Sequence, residues 1–79
     1  MNRIELSELL ISEEIPSNSY SLDGGLQNDT LCIDRTSCGW IVYYTERGVK
    51  FEEMGFPSEE DACSYFYERI KRMLGRYNK

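Results

Sequence analysis

The feature that most constrains this chain is a run of alternating residues from Trp40 to Thr45 that is enclosed by two turn signals. Successive side chains of a strand point to opposite faces, so the run predicts a strand with Trp40, Val42 and Tyr44 on one face. Glycines at positions 39 and 48 are typical of tight turns that join neighbouring strands. The chain therefore predicts a β-meander. Its strands are placed at residues 20–22, 30–34, 40–45 and 49–54.

A helix is predicted before the strands, over residues 2–14. Asn2 can cap its first turn, and Glu5, three residues later, can close a capping box. The Ile15-Pro16 step favours extended backbone and ends the helix. The predicted apolar face consists of Leu6, Leu9 and Leu10, widened by Ile4 and Ile11.

A second helix is predicted after the strands, over residues 58–77. Ser58 can cap it, and residues 59–61 are acidic, which the positive end of the helix dipole favours. Basic residues lie near its other end, where the dipole favours positive charge. The predicted apolar stripe consists of Ala62, Phe66, Ile70, Met73, Leu74 and Tyr77.

These elements predict an α+β fold with an N-terminal helix, a sheet of three or four antiparallel strands and a C-terminal helix. The chain has 79 residues, which suffices for one domain, 1–79, with a modest core. Both helices are expected to cover one face of the sheet and to leave the other face partly exposed. Phe51 is expected to point inward.

The residue types that most enzymes use are scarce. The chain has no His, the commonest general base near neutral pH and the commonest metal ligand. The odd set of Cys32, Cys38 and Cys63 predicts free thiols in a reducing compartment rather than a zinc site. We therefore expect no enzyme activity, no cofactor and no metal. A small enzyme that assembles its site from carboxylates or Cys63 is the weaker alternative.

Charge is unevenly placed along the chain. The net charge is −5, and residues 1–34 carry seven acidic residues against Arg3. Such an acidic body repels nucleic-acid phosphates and attracts basic proteins, although solubility alone would also explain it.

Residues 62–79 reverse the sign of the charge, with five basic residues against Glu68. Together with the helix–strands–helix order, this basic end allows an alternative, an RNA-binding regulatory module of double-stranded-RNA-binding-like layout. The helix dipole explains the same cations without RNA. We therefore expect no direct contact with nucleic acid.

Aromatic residues add to the case for a protein partner. Tyr43 and Tyr44 are adjacent on a predicted strand, so they face opposite sides, and one of them is expected on the open face of the sheet. A Tyr surrounded by acids suits an interface that receives Lys and Arg. Packing of both rings at the edges of the sheet is the alternative.

No apolar run approaches the roughly 20 residues that span a bilayer, and the first residues lack the pattern of a signal peptide. We therefore expect no membrane contact and a cytoplasmic location.

Three segments carry a family resemblance. The first is Ile15-Pro16 followed by Tyr20-Ser21-Leu22 and Gly24-Gly25. The second and most specific is Trp40-x-Val42-Tyr43-Tyr44-x-Glu46-Arg47-Gly48, and the third joins Phe56, Ser58-Glu59, Ala62-Cys63 and Tyr65-Phe66. From Ile15 to about Leu74 the chain resembles small immunity proteins of bacterial polymorphic toxin and contact-dependent growth inhibition systems.

This resemblance implies a protein that binds a cognate toxin domain and neutralises it in the cytosol. Many such toxins are nucleases with basic clefts, so an acidic partner would mimic phosphate and associate quickly. The resemblance does not designate contact residues and leaves the oligomeric state open. From charge and aromatic character, the candidate partner-binding residues are Asp23, Asp29, Tyr43, Tyr44, Glu46, Glu52 and Glu53.

Overall fold

The computed structural model describes residues 1–25 and 29–73. Within them the elements are helix α1 (Arg3–Ser12), a 3₁₀ turn (Ser17–Ser19), strands β1 (Tyr20–Ser21), β2 (Thr30–Thr36), β3 (Gly39–Glu46) and β4 (Val49–Phe56), and helix α2 (Glu59–Met73). The strands form one sheet in the order β1-β2-β3-β4. This confirms the predicted α+β class. One detail differs: β1 pairs with β2 in parallel, so the sheet is mixed rather than fully antiparallel.

The parallel pairing of β1 determines the path of the chain that follows it. Tyr20 lies opposite Leu31 and Ser21 opposite Cys32, so both strands run in the same direction. The chain must therefore return along the sheet before β2 begins. Gly24 lies on this return path with φ +74°, and a Cβ at that position would lie 2.4 Å from Oδ2 of Asp34. Only glycine allows so close an approach.

The core lies between the helices and one face of the sheet, here called the helix face. Strand residues Leu31, Ile33 and Val42 pack there against buried residues of both helices. Fully burying such side chains stabilises the fold by about 1.5–3 kcal/mol each. The helix residues of this core are Leu6, Leu10, Ala62, Cys63, Phe66 and Ile70. Helix α2 packs on this face as predicted, and α1 packs against α2 and adds Leu6 and Leu10 to the core.

The opposite face of the sheet, here called the loop face, is less open than we predicted. Cys32 and Tyr43 form a cross-strand pair on this face, and both are buried. The Oη of Tyr43 donates a hydrogen bond of 3.0 Å to the carbonyl oxygen of Gly25. The expectation of a partly exposed face was therefore wrong at its centre, because Gly24 and Gly25, which follow β1, lie against it.

Helix α1 begins and ends as local hydrogen bonds dictate. Asn2 and Glu5 form the predicted capping box, in which each side chain accepts a hydrogen bond from the backbone N–H of the other. At the other end, the N–H groups of Glu14 and Ile15 donate to the carbonyl oxygens of Ile11 and Leu10. With Glu14 at φ +60°, this is a Schellman ending.

The apolar face of α1 is narrower than predicted. Leu6 and Leu10 are fully buried, but Ile4 and Ile11 are 71% and 65% exposed. These two isoleucines lie seven residues apart and therefore share the outer side of the helix. They do not widen the face that packs on the core.

Strand β4 follows a two-residue turn, in which Arg47 and Gly48 both have positive φ, of 55° and 79°. This is the pattern of a type I′ hairpin. The pairing with β3 shifts by one residue between Tyr44–Phe51 and Val42–Met54, so β4 contains a bulge. Phe51 lies on the helix face, the side that we predicted, but it is 45% exposed and therefore not part of the core. Few residues of α2 reach this outermost strand, which leaves its side chains uncovered.

Helix α2 begins as predicted, with the N–H of Asp61 donating to Oγ of Ser58 at 3.2 Å. Ala62, Phe66 and Ile70 are buried as predicted, whereas Met73 is exposed. The remaining predicted stripe residues, Leu74 and Tyr77, lie outside the described residues. Among those described, neither helix is long and apolar enough to cross a membrane.

The two helices lie parallel. Arg3 of α1 bonds Glu59 at the start of α2, with its N–H 2.8 Å from the Glu59 Oε2. At the other end, Nζ of Lys71 lies 3.3 Å from the carboxylate of Glu13. Contacts at both ends therefore fix α1 along the full length of α2.

Candidate partner-binding surface

Three of the predicted residues meet at one end of the sheet. Thr30, the first residue of β2, pairs with Thr45. Asp29, which precedes β2, therefore lies next to Glu46, the last residue of β3. Tyr44 lies between them, and its Oη is 3.4 Å from Oδ1 of Asp29. We call Asp29, Tyr44 and Glu46 the acidic end of the sheet.

The electrostatics of the acidic end keep Tyr44 protonated. Burial raises the pKa of the Tyr44 hydroxyl, and the charge of Asp29, its hydrogen bond and the charge of Glu46 act in the same direction. The neutral phenol therefore remains a hydrogen-bond donor, and its ring offers a flat, half-buried surface beside two carboxylates. Such a combination suits Lys or Arg side chains of a partner.

Tyr43 lies on the loop face, away from this cluster. Its side chain is 1% exposed, and burial raises the pKa of its hydroxyl to about 12. Nζ of Lys50 lies over the Tyr43 ring, 4.7 Å from its centroid. The choice of Tyr43 as a surface contact is therefore corrected, because the chain after β1 covers it. Of the two adjacent tyrosines, Tyr44 is the accessible one.

Glu52 and Glu53 lie in the bulge of β4, directly after Phe51, which pairs with Tyr44. Glu52 has φ +55° and an exposed side chain that forms an ion pair with Arg69 of α2. Glu53 is exposed, and within residues 1–25 and 29–73 it forms no ion pair. The bulge thus places a free carboxylate one strand away from the acidic end.

Asp23 lies at the opposite end of the sheet from the other candidates. Its side chain is 96% exposed, and Oδ1 lies 3.5 Å from Nη1 of Arg3. The guanidinium of Arg3 also lies 4.9 Å from the ring centroid of Trp40, at the beginning of β3. Asp23 is therefore separated from Glu46 by the length of β3. The structure brings together Asp29, Tyr44 and Glu46, with Glu53 nearby, and does not bring Asp23 to them.

The structure also exposes apolar side chains that are not among the predicted partner-binding residues. Val49, Phe51 and Met54 of β4 lie on the helix face and are about half exposed. Val49 is opposite Glu46 and Phe51 is opposite Tyr44, so they adjoin the acidic end. The step from Phe51 to Met54 breaks the two-residue alternation. That break is a sequence signal for the bulge and for an irregular edge strand.

Two of the three basic residues described in α2, Arg69 and Lys71, are paired with acids and phenols of the protein itself. Arg69 contacts Glu52 and the hydroxyl of Tyr65, and Lys71 contacts Glu13 and the hydroxyl of Tyr67. The hydrogen bond that Nζ of Lys71 donates to the Tyr67 hydroxyl is the largest of the causes that raise the pKa of Lys71. These cations already have partners within the protein, which reduces what they offer to a phosphate backbone.

Two of the three thiols, those of Cys32 and Cys63, are buried, whereas Cys38 is exposed. Cys63 lies in the first turn of α2, where burial raises its pKa to about 11, with the charge of Glu59 acting in the same direction. Burial also raises the pKa of Cys32. Both are therefore thiols at neutral pH and poor nucleophiles. In the part of the chain that the structure describes, no three Cys, Asp or Glu side chains are grouped so as to hold a metal ion.

Comparisons of the chain with protein families, with curated proteins and with solved structures found no match.

Proposed function

We propose that this protein is an immunity protein that binds a cognate bacterial toxin domain in the cytosol and neutralises it. The observation that carries the proposal is the acidic end of the sheet beside exposed apolar residues of β4. Carboxylates, a phenol and apolar side chains in one patch are the composition of a surface that receives a basic protein. The resemblance to small immunity proteins of polymorphic toxin systems supports the same function.

The charge of the patch favours a basic toxin. Asp29, Glu46 and Glu53 are exposed, while Arg47 is the exposed cation of the adjoining turn. A nuclease whose cleft binds phosphate would be attracted by such a surface, and the attraction would speed association. Tyr44 would then supply the aromatic contact at the centre of the patch.

An RNA-binding module is the less favoured function. Lys71 and Arg69 are paired with acids of the protein itself, and the net charge of −5 repels phosphates. A lack of duplex-RNA binding even at low salt would remove this alternative.

Co-expression tests the proposal directly. The probe is the C-terminal domain of the protein encoded immediately upstream of this one, expressed alone and together with this protein. We expect the domain to stop growth alone and this protein to restore growth. A harmless domain, or continued killing in the presence of this protein, would refute the function.

Two charge-reversal variants test where on the surface of this protein the toxin binds. Glu46→Lys reverses one charge in the acidic end, and Glu8→Lys makes the same change at an exposed position of α1. We expect Glu46→Lys to reduce protection and Glu8→Lys to retain it. Equal protection by both variants would place the toxin elsewhere on this protein.

A further inference from the structure

Strand β4 is an open edge of the sheet. It is eight residues long and lies last in the strand order, whereas the other edge strand, β1, has two residues. Every residue of β4 from Val49 to Gly55 is exposed. No other described element lies along its outer side. A strand edge of this length can accept a further strand through its unpaired backbone groups.

The turn before β4 determines which backbone groups point outward. In a two-residue hairpin, the flanking residues Glu46 and Val49 form a hydrogen-bonded pair, and the next pair, Thr45 and Lys50, does not. The N–H and C=O of Lys50 are therefore directed away from β3. Along β3, residues in hydrogen-bonded pairs alternate with residues that are not. Ile41 is of the second kind, so its partner Gly55, beyond the bulge, also directs its N–H outward.

The side chains of β4 indicate which kind of strand would fit. Val49, Phe51 and Met54 form a half-exposed apolar row on the helix face. A strand added beside them would place alternate side chains next to this row and bury it. The matching strand therefore carries apolar residues on that face.

The charges of the edge distinguish a basic partner from a second copy of this chain. Glu53 and Glu46 are exposed and unpaired among the described residues, and the carboxylate of Glu52 is shared with Arg69. Two copies that paired antiparallel about the bulge would place Glu52 and Glu53 of one copy against those of the other, which is unfavourable. The exposed cations here are Arg47 in the turn and Lys50, whose Nζ lies over the ring of Tyr43.

We propose that the toxin docks by adding an extended segment, with apolar and Lys or Arg side chains in alternation, to the outer edge of β4. This inference rests on the proposed function and deepens it. The segment would hydrogen-bond the outward groups of Lys50 and Gly55 on either side of the bulge. Its basic side chains would meet Glu53, and its apolar side chains would cover Phe51 and Met54.

Amide hydrogen exchange in the complex tests this docking mode without any substitution. The probe is the same upstream-encoded C-terminal domain, added in excess over this protein. We expect the amides of Lys50 and Gly55 to exchange at least tenfold more slowly in the complex. Binding and neutralisation without protection of β4 would overturn the inference and leave the function intact. A lack of binding would overturn both.

Free protein provides a further outcome. Protection of the same two amides that rises with the concentration of this protein alone would show that a second copy occupies the edge. That result would also overturn the inference.

A matched pair of substitutions at Lys50 tests the role of its N–H. Lys50→Pro removes the outward donor, which an edge strand tolerates, and Lys50→Ala removes the charge but keeps the donor. Loss of one hydrogen bond together with steric obstruction is expected to weaken binding by about tenfold for Lys50→Pro. Lys50→Ala should bind within about threefold of the original protein. Equal affinities of two folded variants would contradict strand addition at this site.

Discussion

Gly24 and Gly48 have similar backbone angles and different surroundings. Their φ values are +74° and +79°, but a Cβ on Gly24 would meet Asp34 whereas a Cβ on Gly48 would meet open space. At Gly48→Ala the free energy of unfolding should fall by about 1–2 kcal/mol, the usual cost of a left-handed L-residue. At Gly24→Ala the collision should add about 1–3 kcal/mol. Urea denaturation of both variants measures the difference, and equal losses would contradict the close approach.

Ionisation of the Tyr43 hydroxyl should make the stability of the protein depend on pH in the alkaline range. Its folded-state pKa is raised to about 12 from an ordinary value of 10, so the protonated form is favoured by folding. The stabilisation is complete below pH 10 and is lost as the pH rises toward 12. Unfolding should therefore become easier across this window.

Comparison with Tyr43→Phe isolates this effect. Phe cannot ionise, and it loses the hydrogen bond to Gly25, which costs about 1 kcal/mol near neutral pH. The difference in unfolding free energy between the two proteins should shrink between pH 9 and pH 11.5. Cys63 titrates in the same window in both proteins, so its contribution cancels. Cys32 interacts with Tyr43, so both proteins also carry Cys32→Ala, which removes its titration from the difference. A constant difference would contradict the burial of the Tyr43 hydroxyl.

At the scale of the elements, two substitutions test which side of α1 packs against the core. Leu10 is fully buried between the helices and the sheet, whereas its neighbour Ile11 is largely exposed. Leu10→Ala should lower the free energy of unfolding by about 2–5 kcal/mol. Ile11→Ala should change it by no more than about 0.5 kcal/mol. Thermal or chemical denaturation measures both, and a large loss at Ile11 would mean that α1 packs with its other side inward.

The elements themselves were largely predictable from the sequence. Caps at Asn2 and Ser58 and the turn at Gly48 are local signals, because the side chain or backbone freedom that they need lies within a few residues. The alternation in β3 likewise separated Val42 from Tyr43. Local patterns do not reveal which distant segment covers a face, however. For that reason the parallel pairing of β1 and the burial of Tyr43 were not predicted.

The exposure of Phe51 was not predicted for a similar reason. Its alternation with Val49 correctly places it on the helix face, since Phe51 pairs with Tyr44. Whether that face is covered depends on how far α2 extends across the sheet, which no local pattern encodes. The sequence therefore predicts the side of the sheet but not the depth at which the residue is buried.

At the scale of the whole molecule, the candidate surface depends on chain path. Asp23 and Asp29 are six residues apart in sequence, yet they lie at opposite ends of the sheet because Asp23 follows the end of β1, Asp29 precedes the start of β2, and the two strands are parallel. Residue type and charge could nominate both, but only the topology separates them. The acidic end that remains is smaller than the sequence suggested.

The acidic end should govern how quickly a basic toxin associates. Glu46→Lys is expected to lower the association rate several-fold at low ionic strength while changing the dissociation rate less. The effect should diminish near 1 M salt, where the Debye length is about 3 Å. Stopped-flow mixing with the upstream-encoded domain measures both rates, with Glu8→Lys as the control. A salt-independent rate would mean that charge does not guide the encounter.

The position of Trp40 has a practical consequence for spectroscopy. It is the only tryptophan, and it lies at the beginning of β3 with the guanidiniums of Arg3 and Arg35 over its ring. Glu46 is six strand residues away, about 20 Å. Intrinsic tryptophan emission should therefore report detachment of α1 and global unfolding, and stay nearly silent when a ligand occupies the far end. An observer who follows complex formation by fluorescence should label that far end instead.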